Sequence, residues 1–535
     1  MRRADLLDPD IAYQRRWLTL LVLCTSLIVI TLDNTILNVA LPTLSRPTAD
    51  AGLGASASQL QWIVDSYVIV FAGLLLTAGS LGDRFGRYRA LAGGLLVFGV
   101  GSVLSAFATS PDMLIATRSL MGIGGAFIMP STLSIITNVF TDPAERGKAI
   151  GIWAGVSALG IGLGPITGGF LLEHFWWGSI FIVNIPILLI GLVLGYLLVP
   201  ESSDPARPRL DPVGAVLSIA GLTALLWAVI EAPSKGWGAG SVAAAFVAGG
   251  VLLALFMVWE LRSSHPMLDV RFFENPRFSA ASGAITLTFF ALFGALFLLT
   301  QYLQSVLGYS TIKAGAVLLP QAVVLMVNAP LSSVWVQRFG NKVVVTAGLL
   351  LVTASLLLFN TLDAGSDMLH VILISMVMGL GMANIMAPAT DSIMGSLPRA
   401  KAGVGSAVND TTRQVGGAVG VAVLGSVLAS SFHGSMADKL ASVLPAPLLE
   451  AVKDNVGQAI GIARELPAAQ PFAAQIVDAG NTSFVSGMHL AFTIAAGVTG
   501  VAALCVARFL PARAREELPA PGEPVASPVP VGTDA

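Results

Sequence analysis

The chain has 535 residues, 55% of them hydrophobic and 11% charged, with a formal net charge of −2 and a mean hydropathy of +0.80. That balance excludes a soluble globular protein, a disordered chain, a collagen-like repeat and a secreted disulfide scaffold, and leaves an integral membrane protein. The near-neutral charge, with basic residues scattered among short loops, gives no footing for nucleic acid.

In chain order, a charged N-terminal segment (1–16) is followed by apolar runs at roughly 17–41, 59–81, 90–109, 112–139, 149–172, 178–199, 212–232, 241–262, 277–305, 314–337, 343–361, 367–394, 403–431 and 485–510. Each is long enough to cross a hydrocarbon core about 30 Å thick. The first run is too long for the apolar core of a signal peptide and is expected to persist as a helix. Cys24 and Cys505 lie within runs near opposite ends of the chain and read as packing residues. Counted over alternate loops, 21 of the 29 Lys and Arg residues fall on the side of the N-terminus, which predicts both termini in the cytoplasm. The loop 432–487 is then external, and its stretch Leu448–Glu465 predicts a helical hairpin at the outer mouth. A Pro-, Ala- and Glu-rich tail, 511–535, reads as disordered and cytoplasmic.

Two internal echoes share nearly one offset. Arg84, Phe85 and Gly86 of the loop Leu81–Arg87 recur as Arg338, Phe339 and Gly340, and MGIGGAFIM (Met121–Met129) recurs as MGLGMANIM (Met378–Met386). The chain therefore divides into a six-helix bundle (17–200), an inserted helix pair with flanking loops (201–275) and a second six-helix bundle (276–510). Duplicated halves around a central site are the architecture of an alternating-access transporter.

An ionisable group inside a span costs about 2.5–3.5 kcal/mol on insertion scales, so each one calls for a role. Asp33 in the first span and Arg118 in the fourth lie at comparable depths and are placed to pair. Asp33 is then a candidate proton carrier, because burial favours the neutral acid and a neighbouring guanidinium favours the carboxylate. Asp65, in the outer half of the second span, has no obvious partner; it is a second coupling acid or a counter-charge for a cationic substrate. Asp410 and Arg413, three residues apart on one face of the thirteenth span, read as a self-satisfied pair or a coupling site. Asp391 and Glu231 fall near span ends and read as interfacial.

Gly160, Gly164 and Gly168 form a small-residue stripe that admits another helix closely, and Pro165 with Gly169 makes this stretch a candidate hinge. The loop Gly79–Arg89 concentrates Gly79, Gly82, Asp83, Arg84, Gly86 and Arg87 in a tight turn suited to a charge-assisted latch. The sequence contains no G-x-x-x-x-G-K-[ST] loop, which disfavours ATP coupling, and no metal-ligand spacing or nucleophile elbow, which disfavours an enzyme.

These residues resemble the major facilitator superfamily, and within it the fourteen-span drug:proton antiporter family that contains the quaternary-ammonium-compound exporters. LDNTILNVALP (Leu32–Pro42) resembles the family's first-span signature, and GSLGDRFGRYR (Gly79–Arg89) the superfamily's conformational-switch loop. Arg118 with Gly122 resembles the fourth-helix proton-transfer motif, with Met121 in place of the commoner Gln. Gly160–Gly169 is similar to the fifth-helix antiporter motif, QWIVDSY (Gln61–Tyr67) to the exporters' second span, and AVND (Ala407–Asp410) to their acid-bearing stretch, Arg413 being a departure. The resemblance spans about residues 17–510. It implies an all-α major facilitator fold in a bacterial cytoplasmic membrane, a monomer driven by the proton gradient without cofactor or metal. It implies export of hydrophobic, cationic drugs, with a narrow exporter of one antibiotic or metabolite as the alternative. The expected substrate cavity is lined by Asn34, Asn38, Trp62, Asp65, Tyr67, Phe289, Phe293 and Gln301, with Phe297 on the same stripe.

Overall fold

The computed structural model describes residues 9–45, 52–206, 210–453 and 455–511, and among these there is no β-strand. Fourteen helices are long and apolar enough to cross a membrane. They are built on α1 (Arg16–Ser45), α2 (Ala57–Phe85), α3 (Arg87–Ala106), α4 (Pro111–Val139), α5 (Pro143–His174), α6 (Asn184–Leu198, whose span begins with the short helix Ser179–Ile182), α7 (Pro212–Lys235), α8 (Gly240–Arg262), α9 (Pro276–Gln301), α10 (Thr311–Phe339), α11 (Asn341–Leu358), α12 (Met368–Met394), α13 (Ala402–Leu440) and α14 (Ala473–Phe509). Most of the tail, and residues 1–8 of the N-terminal segment, lie outside the described residues.

Local sequence sets where the helices begin. Ser110 and Asp142 accept backbone N–H bonds at the starts of α4 and α5, each followed by proline in the first turn, and Ser56 with Gln59 forms a capping box on α2. Gly86 between α2 and α3 has φ 117°, and Gly340 between α10 and α11 has φ 83°. The repeat seen in sequence is thus a repeat of backbone conformation, since only glycine takes these angles readily.

The two halves meet through α5 against α10 and through α2 against α13, two seams that the repeat interchanges. The inserted pair packs asymmetrically: α7 lies on both α2 and α13, so it covers one seam. Trp237, just past α7, fastens this arrangement by donating from Nε1 to Ser426 Oγ of α13 at 2.9 Å.

The expected external loop is largely helix. α13 continues to Leu440 and α14 starts at Ala473, well before the predicted 485, because polar residues extend both helices past their apolar windows. The extensions brace each other through Ser435–Ser483 at 2.8 Å and Lys439–Thr482 at 2.7 Å. Between them stand two short helices, Ala446–Val452 and Val456–Glu465. Cys24 is buried, whereas Cys505 is exposed on the outside of the helical array.

Candidate functional site

Asp33 of α1 and Arg118 of α4 form an ion pair with both side chains sealed from solvent. Each is held by neutral groups as well. Asn184 Nδ2 donates to Asp33 Oδ1 at 3.2 Å and to Ser102 Oγ at 3.1 Å, tying the pair to α6 and α3. Arg118 Nε donates to the Ile63 carbonyl at 3.3 Å, its guanidinium lies 4.5 Å from the Tyr67 ring centre, and Nη1 reaches Met121 Sδ at 3.8 Å. Methionine at position 121 therefore supplies a weak sulfur acceptor at this arginine. Five helices of one half thus converge on one buried charge pair, which breaks only at high cost unless a proton or another charge replaces a partner.

The small-residue stripe of α5 brings that helix onto α1. A Cβ on Gly160 would collide with Thr31 and one on Gly164 with Thr35, while Gly168 abuts Ile36. Gly169 faces Ile312, and Pro165 lies against Gly315 of α10. α5 stays one continuous helix through Pro165, and the stretch packs between the helix bearing Asp33 and the opposite half.

The latch loop closes the α2–α13 seam at the end of the bundle that carries the termini. Arg87 Nε donates to Asp83 Oδ1 at 2.9 Å, and its Nη2 also donates to the carbonyls of Arg399 and Ala400 at 2.8 and 3.1 Å. Asp83 accepts from the backbone N–H groups of Gly403 and Val404 at 2.9 and 3.1 Å, so a carboxylate occupies the positive end of α13. Gly79 permits the crossing, since a Cβ there would lie 2.5 Å from the Gly403 carbonyl oxygen. Gly82 makes only ordinary contact with Ala90, and Arg84 lies 5.3 Å over the Phe85 ring.

The corresponding loop of the second half carries Gln337 and Asn341 where Asp83 and Arg87 stand. Its seam is joined instead by Arg146 of α5 and Asp391 of α12 at 2.9 Å, and by Arg399 donating to the Thr141 carbonyl at 3.0 Å. A cavity of about 550 Å³, lined in part by Arg146, Arg277, Asn341 and Asp391, opens beside this bridge. Asp391 is thus a cross-half partner rather than an interfacial group.

Three further expectations are corrected. Glu231 is buried, only 6% exposed, and pairs with Lys235 at 3.2 Å. Asp65 has Gln61 one turn before it on α2 as a polar neighbour and lies close enough to Glu231 of α7 for the two charges to interact, so the acid does have polar surroundings. Asp410 and Arg413 are not in ion-pair contact: Arg413 Nη2 donates to Thr390 Oγ1 at 3.0 Å, and Asp410 Oδ1 accepts from Asn409 Nδ2 at 3.3 Å. The extended Arg side chain reaches past the turn that would bring it to the acid.

The expected cavity residues are dispersed. Tyr67 is buried beneath Arg118, and Asn34 and Trp62 are half-buried. The side chain of Asn38 lies outside the described set. Phe289 and Phe293 stack with centres 5.8 Å apart, and Phe293 and Phe297 rest on Gly417 and Gly425 of α13. Gln301 is half-buried and bonds back to the Phe297 carbonyl of its own helix at 3.5 Å. Sequence reasoning missed Asn184 and Trp153; a lone Asn in an otherwise apolar span was the available signal for the first, and none existed for the second.

The profile of the Major Facilitator Superfamily matches residues 23–421. The chain belongs to the major facilitator superfamily. It is 41% identical to the multidrug efflux pump LfrA of Mycolicibacterium smegmatis, over 92% of this chain and 96% of that one. It is 33% identical to the methyl viologen resistance protein SmvA of Salmonella typhimurium, over 90% of this chain and 95% of that one. The solved proton:xylose symporter XylE superposes with a TM-score of 0.58 at 14% identity, covering 93% of this chain and 96% of that one, which places both in one fold. This major facilitator protein is a multi-pass membrane transporter, its duplicated six-helix halves interrupted by the α7–α8 pair.

Proposed function

We propose that the chain exports hydrophobic, cationic drugs from the cytoplasm in exchange for protons. The observation that carries this reading is the buried Asp33–Arg118 pair, a carboxylate whose charge partner lies on a different helix. A movement of α1 against α4 changes the balance between burial and ion pairing, and so loads or releases a proton. One proton moving inward contributes about 2.3 kcal/mol per 100 mV, which offsets the cost of moving a monovalent cation outward against the same potential, so in a one-for-one exchange the pH gradient drives the export.

The relatives support export: LfrA is named as an efflux pump, and methyl viologen, which names SmvA, is a flat organic dication. The Lys and Arg distribution supports cytoplasmic termini in a bacterial cytoplasmic membrane. On that orientation the Asp83–Arg87 latch shuts the cytoplasmic end. The chain acts as a monomer, needs no cofactor, nucleotide or metal, and works on small molecules within the bilayer.

The test is uptake of ethidium into inverted membrane vesicles under an imposed pH gradient. The native chain is expected to accumulate the dye, and Asp33→Asn to abolish gradient-driven accumulation. Native vesicles that respond to no cation, with the protein shown to be inserted, would move the assignment to a narrow exporter.

A further inference from the structure

One buried cluster at the junction of the two halves is left unused by the function proposed above. Arg413 is 3% exposed and Asp410 is fully buried, yet each keeps an unsatisfied atom among the described residues: Arg413 Nε lacks an acceptor and Asp410 Oδ2 lacks a donor. The leftover donor and leftover acceptor stand three residues apart on one helix face, where side chains meet. They are separated by a neutral bridge. Arg413 donates to Thr390 Oγ1, Thr390 Oγ1 donates to Asn409 Oδ1 at 3.1 Å, and Asn409 Nδ2 donates to Asp410.

What holds the guanidinium in this place is aromatic. Arg413 lies 4.8 Å from the ring centre of Trp153 and 5.2 Å from that of Phe289. Phe289 belongs to α9, in the same half as Arg413. Trp153 belongs to α5 in the other half, and its Nε1 donates to Thr132 Oγ1 of α4 at 3.1 Å, so the ring moves with that half. Charges on neighbouring helices are committed elsewhere: Asp83 to Arg87, Arg118 to Asp33, Glu231 to Lys235 and Asp391 to Arg146. The charged group acting on Asp410 is Arg413, and the one acting on Arg413 is Asp410.

We propose that Trp153 is a positioning residue of the proton cycle: with the cytoplasmic end closed, its ring holds Arg413 away from Asp410, and when the halves part it releases Arg413 onto that acid. The inference rests on the proton-antiport reading and adds a second carrier to it. With the clamp shut, Asp410 faces no counter-charge in contact and holds a proton on its carboxyl oxygen. Withdrawal of α5 removes one face of the clamp. Arg413 Nε then meets Asp410 Oδ2, the carboxylate is stabilised, and its O–H proton leaves to water entering from the cytoplasmic side. The order is that of an antiporter, loading from outside and unloading inside.

The experiment uses the full chain in inverted vesicles, with ethidium uptake measured over a series of lumen pH values and ethidium counterflow measured without a gradient. Trp153→Ala is expected to move the half-maximal lumen pH at least one unit toward acid, with counterflow within about twofold of native. Trp153→Phe, which keeps a ring, is expected to retain the native profile, and Phe289→Leu to shift it in the same direction as Trp153→Ala. If Trp153→Ala gives no counterflow, Phe289→Leu carries the test. A native profile in whichever of these two variants shows counterflow, or a Trp153→Phe shift as large as that of Trp153→Ala, overturns the inference while leaving proton antiport intact. Absence of any gradient-driven uptake by the native chain overturns both.

Discussion

Gly73 of α2 lies against Thr223 of α7, where a Cβ on the glycine would come within 2.8 Å of the threonine hydroxyl. The two helices run antiparallel, and eight residues further along each, in opposite directions, Asp65 comes level with Glu231. The inserted pair thereby contributes a carboxylate to a like-charged pair with a coupling candidate, and Lys235, which lies 4.7 Å over the Trp227 ring, pairs with that carboxylate.

That juxtaposition predicts that Glu231→Gln stabilises the fold. Relief of the repulsion outweighs the loss of a pair whose lysine is 46% exposed, and the gain is at most about 0.5 kcal/mol, the scale of a like-charge pair when an exposed bridge contributes little. The thermal midpoint of the purified protein in detergent should rise; a fall would mean that the Lys235 bridge is the stronger partner.

Asp33→Asn strands the Arg118 guanidinium in the core. Loss of one member of a buried pair costs about 3–5 kcal/mol, whereas replacing both by apolar residues is often neutral. Asp33→Asn should therefore lower the unfolding midpoint sharply, and Asp33→Leu with Arg118→Met should recover it without recovering transport. Thermal unfolding and vesicle uptake, measured on the same preparations, separate the stability effect from the functional one.

The contrast between Asp33 and Arg413 shows what the sequence could reveal. Ionisable residues announce themselves in apolar runs because of their insertion cost, and Asp33, Arg118 and Asp83 all reach partners their depth or loop suggested. Arg413 and Asp410 were legible as members of a site but not as a separated pair, since what divides them is packing: a tryptophan from the other half and a threonine from α12. The spans were legible for the same reason as the acids, a single solvent rule applied along the chain. The ends of α13 and α14 were not, because outside the hydrocarbon a polar helix and a polar loop look alike.

Asp83→Asn weakens both partners of the latch at once, the Arg87 fork and the first N–H groups of α13. A loss of about 2–3 kcal/mol corresponds to roughly a 30- to 150-fold shift toward the state open at that end. In a chain whose two native cysteines are replaced by alanine, a cysteine at buried Ser406 should react with a membrane-impermeant thiol reagent much faster when Asp83→Asn is present. Arg146→Gln, which breaks a bridge whose partners are 12% and 22% exposed, should raise that rate far less.

The α1–α5 contact can be tested by size alone. Gly164→Ala drives a methyl group into Thr35, and overpacking of this kind costs about 1–3 kcal/mol. Transport should fall, and Thr35→Gly in the same chain, which removes both the hydroxyl and the Cβ that the new methyl would meet, should restore it in part. Failure of that rescue would mean that Gly164 serves backbone bending near Pro165 rather than close approach.

The covering of one seam by α7 gives the transporter a sidedness within the plane of the membrane. Among the described residues the inserted helices pack chiefly on the other seam, and beside the α5–α10 contact α10 turns Val323, Val327, Leu331, Val334 and Trp335 outward. Acyl chains touch the junction of the halves on that flank and are kept from it on the other. An amphipathic molecule already dissolved in the bilayer therefore meets a door and a wall, and the two helices of the insertion decide which is which.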